Sequence, residues 1–244
     1  MNESYDYIVV GAGSAGCVLA NRLTEDPDTS VILIEAGGKD WHPLIHVPAG
    51  YMHLLDHPTL TWGFKADKDS GLNGREIPYP RGRVLGGSSS INGMIYIRGQ
   101  HEDYADWVRA GAEGWGYRDV LPFFRKSERY AGGESEWHGA SGELDVSDLR
   151  NDHPYCSTWL EAAQQAGLPP NRDFNAETEY GVGAYQLTLR GHWRCSAAKA
   201  FLRPALGRPN LKVITGAQVS RVLFEGTRAV GVEWIENGEK TYAV

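Results

Sequence analysis

The N-terminal forty residues alternate between strand-like and helix-like hydrophobic patterns. Strand-like sequence covers residues 5–10 and 31–35. Between them, apolar and long side chains recur at i, i+3 and i+4 positions, which predicts a helix over residues 14–24 that ends before Pro27. The residues expected on its buried face are Ala15, Val18, Leu19, Arg22 and Leu23. A strand, a helix and a second strand in this order predict a βαβ unit with a parallel sheet.

The rest of the chain mixes irregular and regular segments. Prolines interrupt residues 37–75, for which no long element is predicted. Further predicted elements are helices within 101–130, separated by a turn at 114–116, a strand at 142–146, a helix at 153–166, and a strand followed by a helix within 181–202. Alternating patterns predict strands at 211–215, 218–224 and 229–234, then a turn at Asn237–Gly238 and a strand from Tyr242. The fold class is therefore α/β.

Composition narrows the possible partners and compartments. The 244 residues include 24 basic and 31 acidic side chains, and the resulting net charge of −7 disfavours nucleic acid and anionic membranes. No apolar run approaches the roughly 18 residues of a membrane span, and no signal-peptide pattern is visible at the N-terminus. Three widely separated cysteines do not suggest a disulfide framework. We therefore expect a cytoplasmic protein.

The turn after the first strand carries a nucleotide-binding pattern. Gly11, Gly13 and Gly16 have the spacing G-x-G-x-x-G, which allows a tight turn, close approach of a pyrophosphate, and close packing of helix on strand. The helix N-terminus adds unpaired N–H groups that attract phosphates. Glu35 ends the second strand at about the distance where this fingerprint places a carboxylate for a ribose 2′-OH. The pattern predicts a bound dinucleotide.

A second glycine-rich passage lies at residues 80–96. Four glycines and three serines leave little side-chain bulk there, while Val84, Leu85 and Ile91 are interleaved with them, unlike in a flexible polar linker. Such a segment permits close approach of another backbone or of a flat ligand.

Taken together, these motifs resemble the glucose-methanol-choline (GMC) flavin oxidoreductases, with the greatest similarity to the choline and primary-alcohol dehydrogenase branch. They are residues 11–16 with Glu35, the passage 82–92, and the region 210–238. The resemblance implies FAD, with its diphosphate on residues 11–16, its adenosine ribose on Glu35 and its adenine beside Val219. It implies the following cofactor-binding residues: Gly11, Gly13, Ser14, Ala15, Gly16, Glu35, Ala36, Arg81, Gly82, Gly86, Gly87, Asn92, Gly93, Met94, Ile95 and Val219.

The resemblance also implies what this chain lacks. Family members are about twice as long, and their catalytic histidine pair lies in a C-terminal half absent here, so no catalytic residue is assigned. FAD-binding segments are expected at 1–40, 78–150 and 195–244, and parts of an α+β substrate-binding domain at 41–77 and 151–194. The implied reaction is oxidation of a CH–OH donor by hydride transfer to the flavin, with oxygen or a quinone-like acceptor. Ile91 occupies the position of a flavin-linked histidine in some members, so we expect non-covalent FAD.

Several alternatives stay open at this point. A family relative with lyase or photodecarboxylase chemistry shares these motifs, and the chain alone could lack activity. A plain NAD-binding protein leaves the passage 82–92 without a purpose. We expect no metal site, because prolines interrupt the histidine pairs at 42/46 and 53/57. Trp62, Tyr51 and Tyr96 are candidates for a cavity wall and equally for ordinary core aromatics.

Overall fold

The computed structural model describes residues 4–150, 153–236 and 239–243. Its strands are β1 Tyr7–Val10, β2 Val31–Glu35, β3 Ile95–Tyr96, β4 Glu128–Tyr130, β5 Leu144–Asp148, β6 Gln186–Leu187, β7 Leu189–Arg190, β8 Trp193–Arg194, β9 Leu211–Thr215, β10 Gln218–Glu225, β11 Arg228–Glu236 and β12 Glu239–Ala243. Its α-helices are α1 Ser14–Leu23, α2 Pro43–His46, α3 His101–Arg109, α4 Tyr117–Ser127, α5 Pro154–Gln165 and α6 Arg203–Ala205. Shorter 3₁₀ turns cover Pro48–His53, Ser70–Leu72 and Gly87–Ser90, and a π-helical turn covers Ala198–Leu202.

The chain forms two compact units, residues 1–93 with 196–244, and residues 94–195. In the first unit, β1, β2 and β9 form a parallel sheet in the order β1-β2-β9. All five residues of β2 are buried, as expected for an apolar central strand. A separate antiparallel sheet, β10-β11-β12, completes this unit. The α/β class and the βαβ opening are confirmed.

The buried face of α1 differs from the predicted one. The helix buries Gly16, Cys17, Ala20 and Asn21, whereas Leu19 is 48% exposed. A Cβ on Gly16 would lie 1.9 Å from the carbonyl oxygen of Gly11, so the first turn of this face lies directly against the backbone of the turn that follows β1. The close packing expected at Gly16 is therefore observed, whereas the prediction that the large apolar residues form the buried face was wrong.

The second unit contains a four-stranded mixed sheet of short strands, in the order β3-β6-β5-β4, and the hairpin β7-β8. The helices predicted within 101–130 and at 153–166 are confirmed as α3, α4 and α5. The strand predicted at 142–146 runs from Leu144 to Asp148. The turn at Asn237–Gly238 lies outside the described residues.

The assignment of segments to cofactor and substrate domains stays a prediction, and its boundaries differ from those of the two units. No helix in the described part of the chain is long and apolar enough to cross a membrane.

A buried ionic network lies inside the second unit. Both ring nitrogens of His138 face carboxylates: Nδ1 lies 3.0 Å from Glu128 and Nε2 lies 2.8 Å from Asp173. The guanidinium of Arg98 donates to Glu128 at 2.9 Å. His138, Glu128 and Arg98 are at most 5% exposed. Burial would lower the pKa of His138, but hydrogen bonds to Asp173 and Glu128 outweigh it and raise this pKa to about 9.

This network predicts a loss of stability at alkaline pH. A histidine whose pKa is higher in the folded than in the unfolded chain contributes its full stabilisation below the unfolded value, near 6.5, and loses it as pH rises through about 9. At 1.36 kcal/mol per pKa unit, the difference corresponds to roughly 3 kcal/mol. Urea unfolding of the wild-type chain and of His138→Gln between about pH 6.5 and roughly pH 10 measures this contribution to the free energy of unfolding. We expect the free energy of unfolding to fall less steeply with pH in the variant than in the wild type. Equal slopes would contradict the assignment of the alkaline loss to His138.

Candidate functional site

An open cavity of about 520 Å³ lies in the first unit, where β1 and β2 end. Ligands of open α/β sheets bind at the carboxyl ends of the strands, which is where this cavity lies. The predicted residues that line it are Gly11, Gly13, Ser14, Glu35, Ala36, Arg81, Gly82, Gly87 and Val219. The structure therefore brings the first glycine motif, the acid after β2 and the second glycine passage to one cavity.

The first glycine motif turns sharply between β1 and α1. Gly11 has φ +89°, a left-handed conformation that favours glycine, and its N–H donates to the carbonyl oxygen of Ile34 at 2.8 Å. Gly13 is the N-cap of α1 and carries no side chain that could accept the first-turn N–H groups. A Cβ added at Gly13 would have no atom within 4 Å. The start of α1 is thus open to an anion from the cavity.

Glu35 is buried and holds the backbone of two loops. One carboxylate oxygen accepts the N–H of Ala12 at 2.7 Å, and the other accepts the N–H of Gly37 at 2.8 Å. A carboxylate oxygen can accept more than one hydrogen bond, so both oxygens keep capacity for a hydroxyl donor in the cavity. Glu35 therefore fixes the shape of the glycine turn while lining the cavity, a structural role that the sequence pattern did not indicate.

The second glycine passage packs against the first without intervening side chains. A Cβ on Gly87 would lie 2.7 Å from the Cα of Gly13, and one on Gly82 would lie 2.3 Å from the carbonyl oxygen of Gly87. The N–H of Gly86 donates to the carbonyl oxygen of Ala12 at 2.7 Å. The small residues of this passage are thus required by close contact between two backbones.

The three serines of this passage satisfy backbone groups. The hydroxyl of Ser88 accepts the N–H of Gly82 at 3.1 Å, and that of Ser90 donates to the carbonyl oxygen of Leu85 at 2.7 Å. Ser89 Oγ accepts the N–H of Ala197 at 2.9 Å. These bonds explain the serines by loop geometry, consistent with the absence of a nucleophile motif in the sequence.

The other predicted cofactor residues of the first unit are not among the residues that line the cavity. Gly16 contacts the turn at Gly11, and Gly86 has φ +88°. Ala15 and Asn92 are exposed, and a Cβ added at Gly93 would lie 3.7 Å from the ring of Tyr51.

Met94 and Ile95 belong to the second unit. Met94 is buried with φ 64°, a costly conformation for a residue other than glycine and one that is common at functional sites. Ile95 is 52% exposed.

Some lining residues were not among the predicted cofactor-binding residues. They are Val10, Ile34, Trp62, Phe64, Ser88, Ala217 and Gln218. Of the aromatics weighed from the sequence, Trp62 lines the cavity, whereas Tyr51 and Tyr96 are not among its lining residues. Phe64, two positions after Trp62 in an extended segment, could have been found by the period of two that places both side chains on one face.

Histidines and metal ligands do not contribute to this cavity. None of the residues that line it is a histidine. In the described ranges, no group of three or more His, Cys, Asp or Glu residues could hold a metal ion. The lining of the cavity therefore offers groups that can bind a ligand, and its ionisable side chains are Glu35 and Arg81.

Comparison with known proteins identifies relatives that share nearly all of this chain. Choline dehydrogenase, mitochondrial, from Homo sapiens is 49% identical over 246 residues, which covers 97% of this chain and 41% of that protein. Alcohol dehydrogenase [acceptor] from Pseudomonas putida is 48% identical over 233 residues, which covers 95% of this chain and 42% of that protein. The chain thus spans about two fifths of the length of these relatives.

Solved structures reproduce the fold. Pyridoxine 4-oxidase from Mesorbium loti superposes with a TM-score of 0.94 at 34% identity, covering 98% of this chain and 48% of that one. An FAD-dependent oxidoreductase from Chaetomium thermophilum superposes with a TM-score of 0.91 at 32% identity, covering 98% of this chain and 44% of that one. The profile of the GMC oxidoreductase family matches residues 5–244. The chain therefore belongs to the GMC oxidoreductase family.

Proposed function

We propose that this chain binds FAD in the 520 Å³ cavity and forms the cofactor-binding part of an enzyme that oxidises an alcohol at its CH–OH group. The observation that carries the proposal is the direct contact of the two glycine passages beside Glu35 and the N-terminus of α1. This arrangement suits a dinucleotide, because phosphates need close backbone N–H groups and a ribose needs a hydroxyl acceptor.

The cavity residues fit the charge and shape of such a ligand. Gly13 leaves open space where a side chain would otherwise stand, so a diphosphate can reach the first turn of α1. Arg81 lines the same cavity and supplies a positive charge. Glu35 stands where a ribose hydroxyl would donate a hydrogen bond. The remaining predicted contacts, including Asn92, Gly93, Met94 and Ile95, are part of the proposal.

We propose that FAD is held without a covalent bond. Ile91, at the position expected for a covalent link, has a hydrocarbon side chain that is 1% exposed in a core cluster with Ile45, Leu54, Leu60 and Val84. A hydrocarbon side chain offers no nucleophile for such a link.

When bound, the flavin supplies the redox chemistry by accepting a hydride from the alcohol carbon. This chain's residues bind and orient the cofactor. The base that takes the alcohol proton is proposed to be one of a histidine pair outside residues 1–244, since no histidine lines the cavity.

The named relatives oxidise choline or other alcohols, which supports a small alcohol as the substrate. An oxygen or quinone-like electron acceptor and a cytoplasmic location remain proposals from the sequence.

The test is an absorbance spectrum of the purified chain after incubation with FAD. We expect visible flavin bands that elute with the protein in gel filtration and are released by acid. Adding an alcohol should not bleach these bands, because the histidine pair that takes the alcohol proton is proposed to lie outside residues 1–244. A folded chain that takes up NAD and excludes FAD would overturn the proposed cofactor, and bleaching by an alcohol would contradict the placement of the base.

A further inference from the structure

A second cavity, of about 230 Å³, lies in the second unit and gathers positive charge. Its charged lining residues are Arg129, Arg150, Arg190 and Asp145. Three guanidinium groups and one carboxylate give this lining a net charge of +2, whereas the whole chain carries −7. None of these four residues lines the 520 Å³ cavity of the first unit. The local charge therefore favours an anion, against the charge of the chain as a whole.

The strands of the second unit hold two of these arginines on one carboxylate. Arg129 on β4 lies opposite Asp145 on β5, and Arg190 lies on β7. Arg129 Nε is 3.1 Å from one carboxylate oxygen of Asp145, and Arg190 Nε donates to the other. The side chain of Asp145 is 15% exposed, whereas those of Arg129 and Arg190 are 44% and 50% exposed. Asp145 thus anchors two arginine side chains that stay accessible.

Both anchored guanidinium groups keep most of their donor capacity. A guanidinium has five N–H donors in a planar fork, and each bond to Asp145 uses the donor on Nε. Among the described residues, Asp145 is the only carboxylate that pairs with Arg129 or Arg190. The Nη groups are the donors that bind phosphate oxygens in pairs, and their planar geometry suits phosphate better than a point charge does.

The cavity also has an apolar part and a turn without a side chain. Val146 and Leu189 line it beside the arginines. Gly191, which turns the chain between β7 and β8, lines it with φ +62°, a conformation that favours glycine. An anion that carries a carbon group can therefore contact both the charged and the apolar parts of the lining.

We propose that this cavity binds the phosphate group of a phosphate monoester. Such a group carries a charge of about −1.5 to −2 at neutral pH, which matches the lining, whereas one carboxylate would neutralise only about half of it. Arg129 and Arg190, oriented by Asp145, contact the phosphate oxygens, and Arg150 supplies the third positive charge. The carbon part of the ester lies against Val146 and Leu189.

The test is a calorimetric titration of the full chain with glycerol 3-phosphate, in the presence of FAD so that the start of α1 is occupied. We expect the double variant Arg129→Gln/Arg190→Gln to bind the ester about ten-fold more weakly or worse, because charge-assisted hydrogen bonds are lost. Acetate should bind the wild type at least roughly ten-fold more weakly than the ester, because it carries one charge. The comparison between variants holds whether or not FAD binds, since the start of α1 is the same in all of them.

Arg150→Gln tests the cavity independently if the double variant does not fold, because it leaves both bonds to Asp145 in place. We expect it to weaken ester binding by several-fold through the loss of one positive charge. The matched control is Arg109→Gln. It removes an exposed arginine of the same unit that pairs with Asp106 and does not line this cavity, so ester affinity should be unchanged.

Two results would overturn the proposal. One is equal ester affinity in the wild type, Arg150→Gln and the folded double variant, which would mean that these arginines are only solvated ion pairs. The other is acetate binding as tight as ester binding, which would show that a single negative charge is sufficient. Vesicles with phosphatidic acid identify the source of the phosphate. Retention on them that the arginine variants lose supports the site with a lipid headgroup, and ester binding without retention supports it with a soluble ester.

Discussion

Replacing Gly16 with valine is expected to destabilise the chain by about 3 kcal/mol or more, because the new side chain meets backbone that cannot move away. A Cβ at this position would lie 1.9 Å from the carbonyl oxygen of Gly11 and 3.4 Å from a methyl group of Val9. Relieving the contact requires α1 to separate from β1, which loosens the buried face around Cys17 and Ala20. Urea unfolding followed by circular dichroism measures the loss.

The same substitution at Gly13 is expected to leave the fold nearly intact and to weaken cofactor binding strongly. Gly13 is extended, with φ −73° and ψ −165°, which valine adopts, and an added Cβ meets nothing within 4 Å. Valine is a poorer N-cap than glycine, so the expected loss of stability is only about 1 kcal/mol. Its side chain would instead fill the space where a diphosphate approaches, and FAD affinity should fall on the order of 100-fold or more.

Together, the variants Gly16→Val and Gly13→Val distinguish a glycine that is required for packing from one that contacts the ligand within the same turn. If both valines destabilise the chain equally, the contact geometry at Gly16 has no special role. If Gly13→Val folds and still binds FAD with wild-type affinity, the diphosphate is not at the start of α1. Gel filtration of each variant with FAD, compared with its unfolding curve, provides both answers.

The elements of the first unit were predicted well from the sequence, because local patterns of residues specify them. Continuous apolar runs identified β2 and alternation identified β10 and β11, and the glycine spacing located the turn at residues 11–16. On α1, the glycine spacing predicted the close packing of Gly16, but the burial of Ala20 and Asn21 was missed, because small and polar residues give little hydrophobic signal. Within the site, Glu35 was found by spacing, but its bonds to Ala12 and Gly37 depend on how the loops fold.

The second unit was harder to predict, because its contacts join distant parts of the chain. The two-residue strands β3 and β6 pair across about ninety positions, and strands of this length have no periodic pattern. Likewise Arg98, Glu128 and Asp173 are separate charges in the sequence, and only the fold brings them to His138. A charged residue in isolation is expected at the surface, so the burial of Arg98 and Glu128 could not be inferred.

The second large effect that we expect is a loss of stability when Glu128 is removed. Glu128→Ala should destabilise the chain by about 3–5 kcal/mol, because it leaves buried cations without their carboxylate. Arg98 loses its 2.9 Å ion pair, and the N–H of Gly139 loses its 2.9 Å acceptor. His138 keeps Asp173 but loses one of the two groups that raise its pKa.

Glu134→Ala is the matched control, since it breaks the ion pair of Arg125 with Glu134, which has the same 2.9 Å separation but is exposed. Solvent screens that pair, so the expected loss is below about 1 kcal/mol. Equal losses of stability in Glu128→Ala and Glu134→Ala would mean that the buried carboxylate of Glu128 contributes no more to stability than an exposed one. The pH profile gives an independent check: without Glu128 the pKa of His138 in the folded chain should fall toward its unfolded value, so the alkaline loss of stability in Glu128→Ala should begin near the same pH as in the wild type, end at a lower pH and be smaller. A profile parallel to that of the wild type would assign the alkaline loss to a group other than His138.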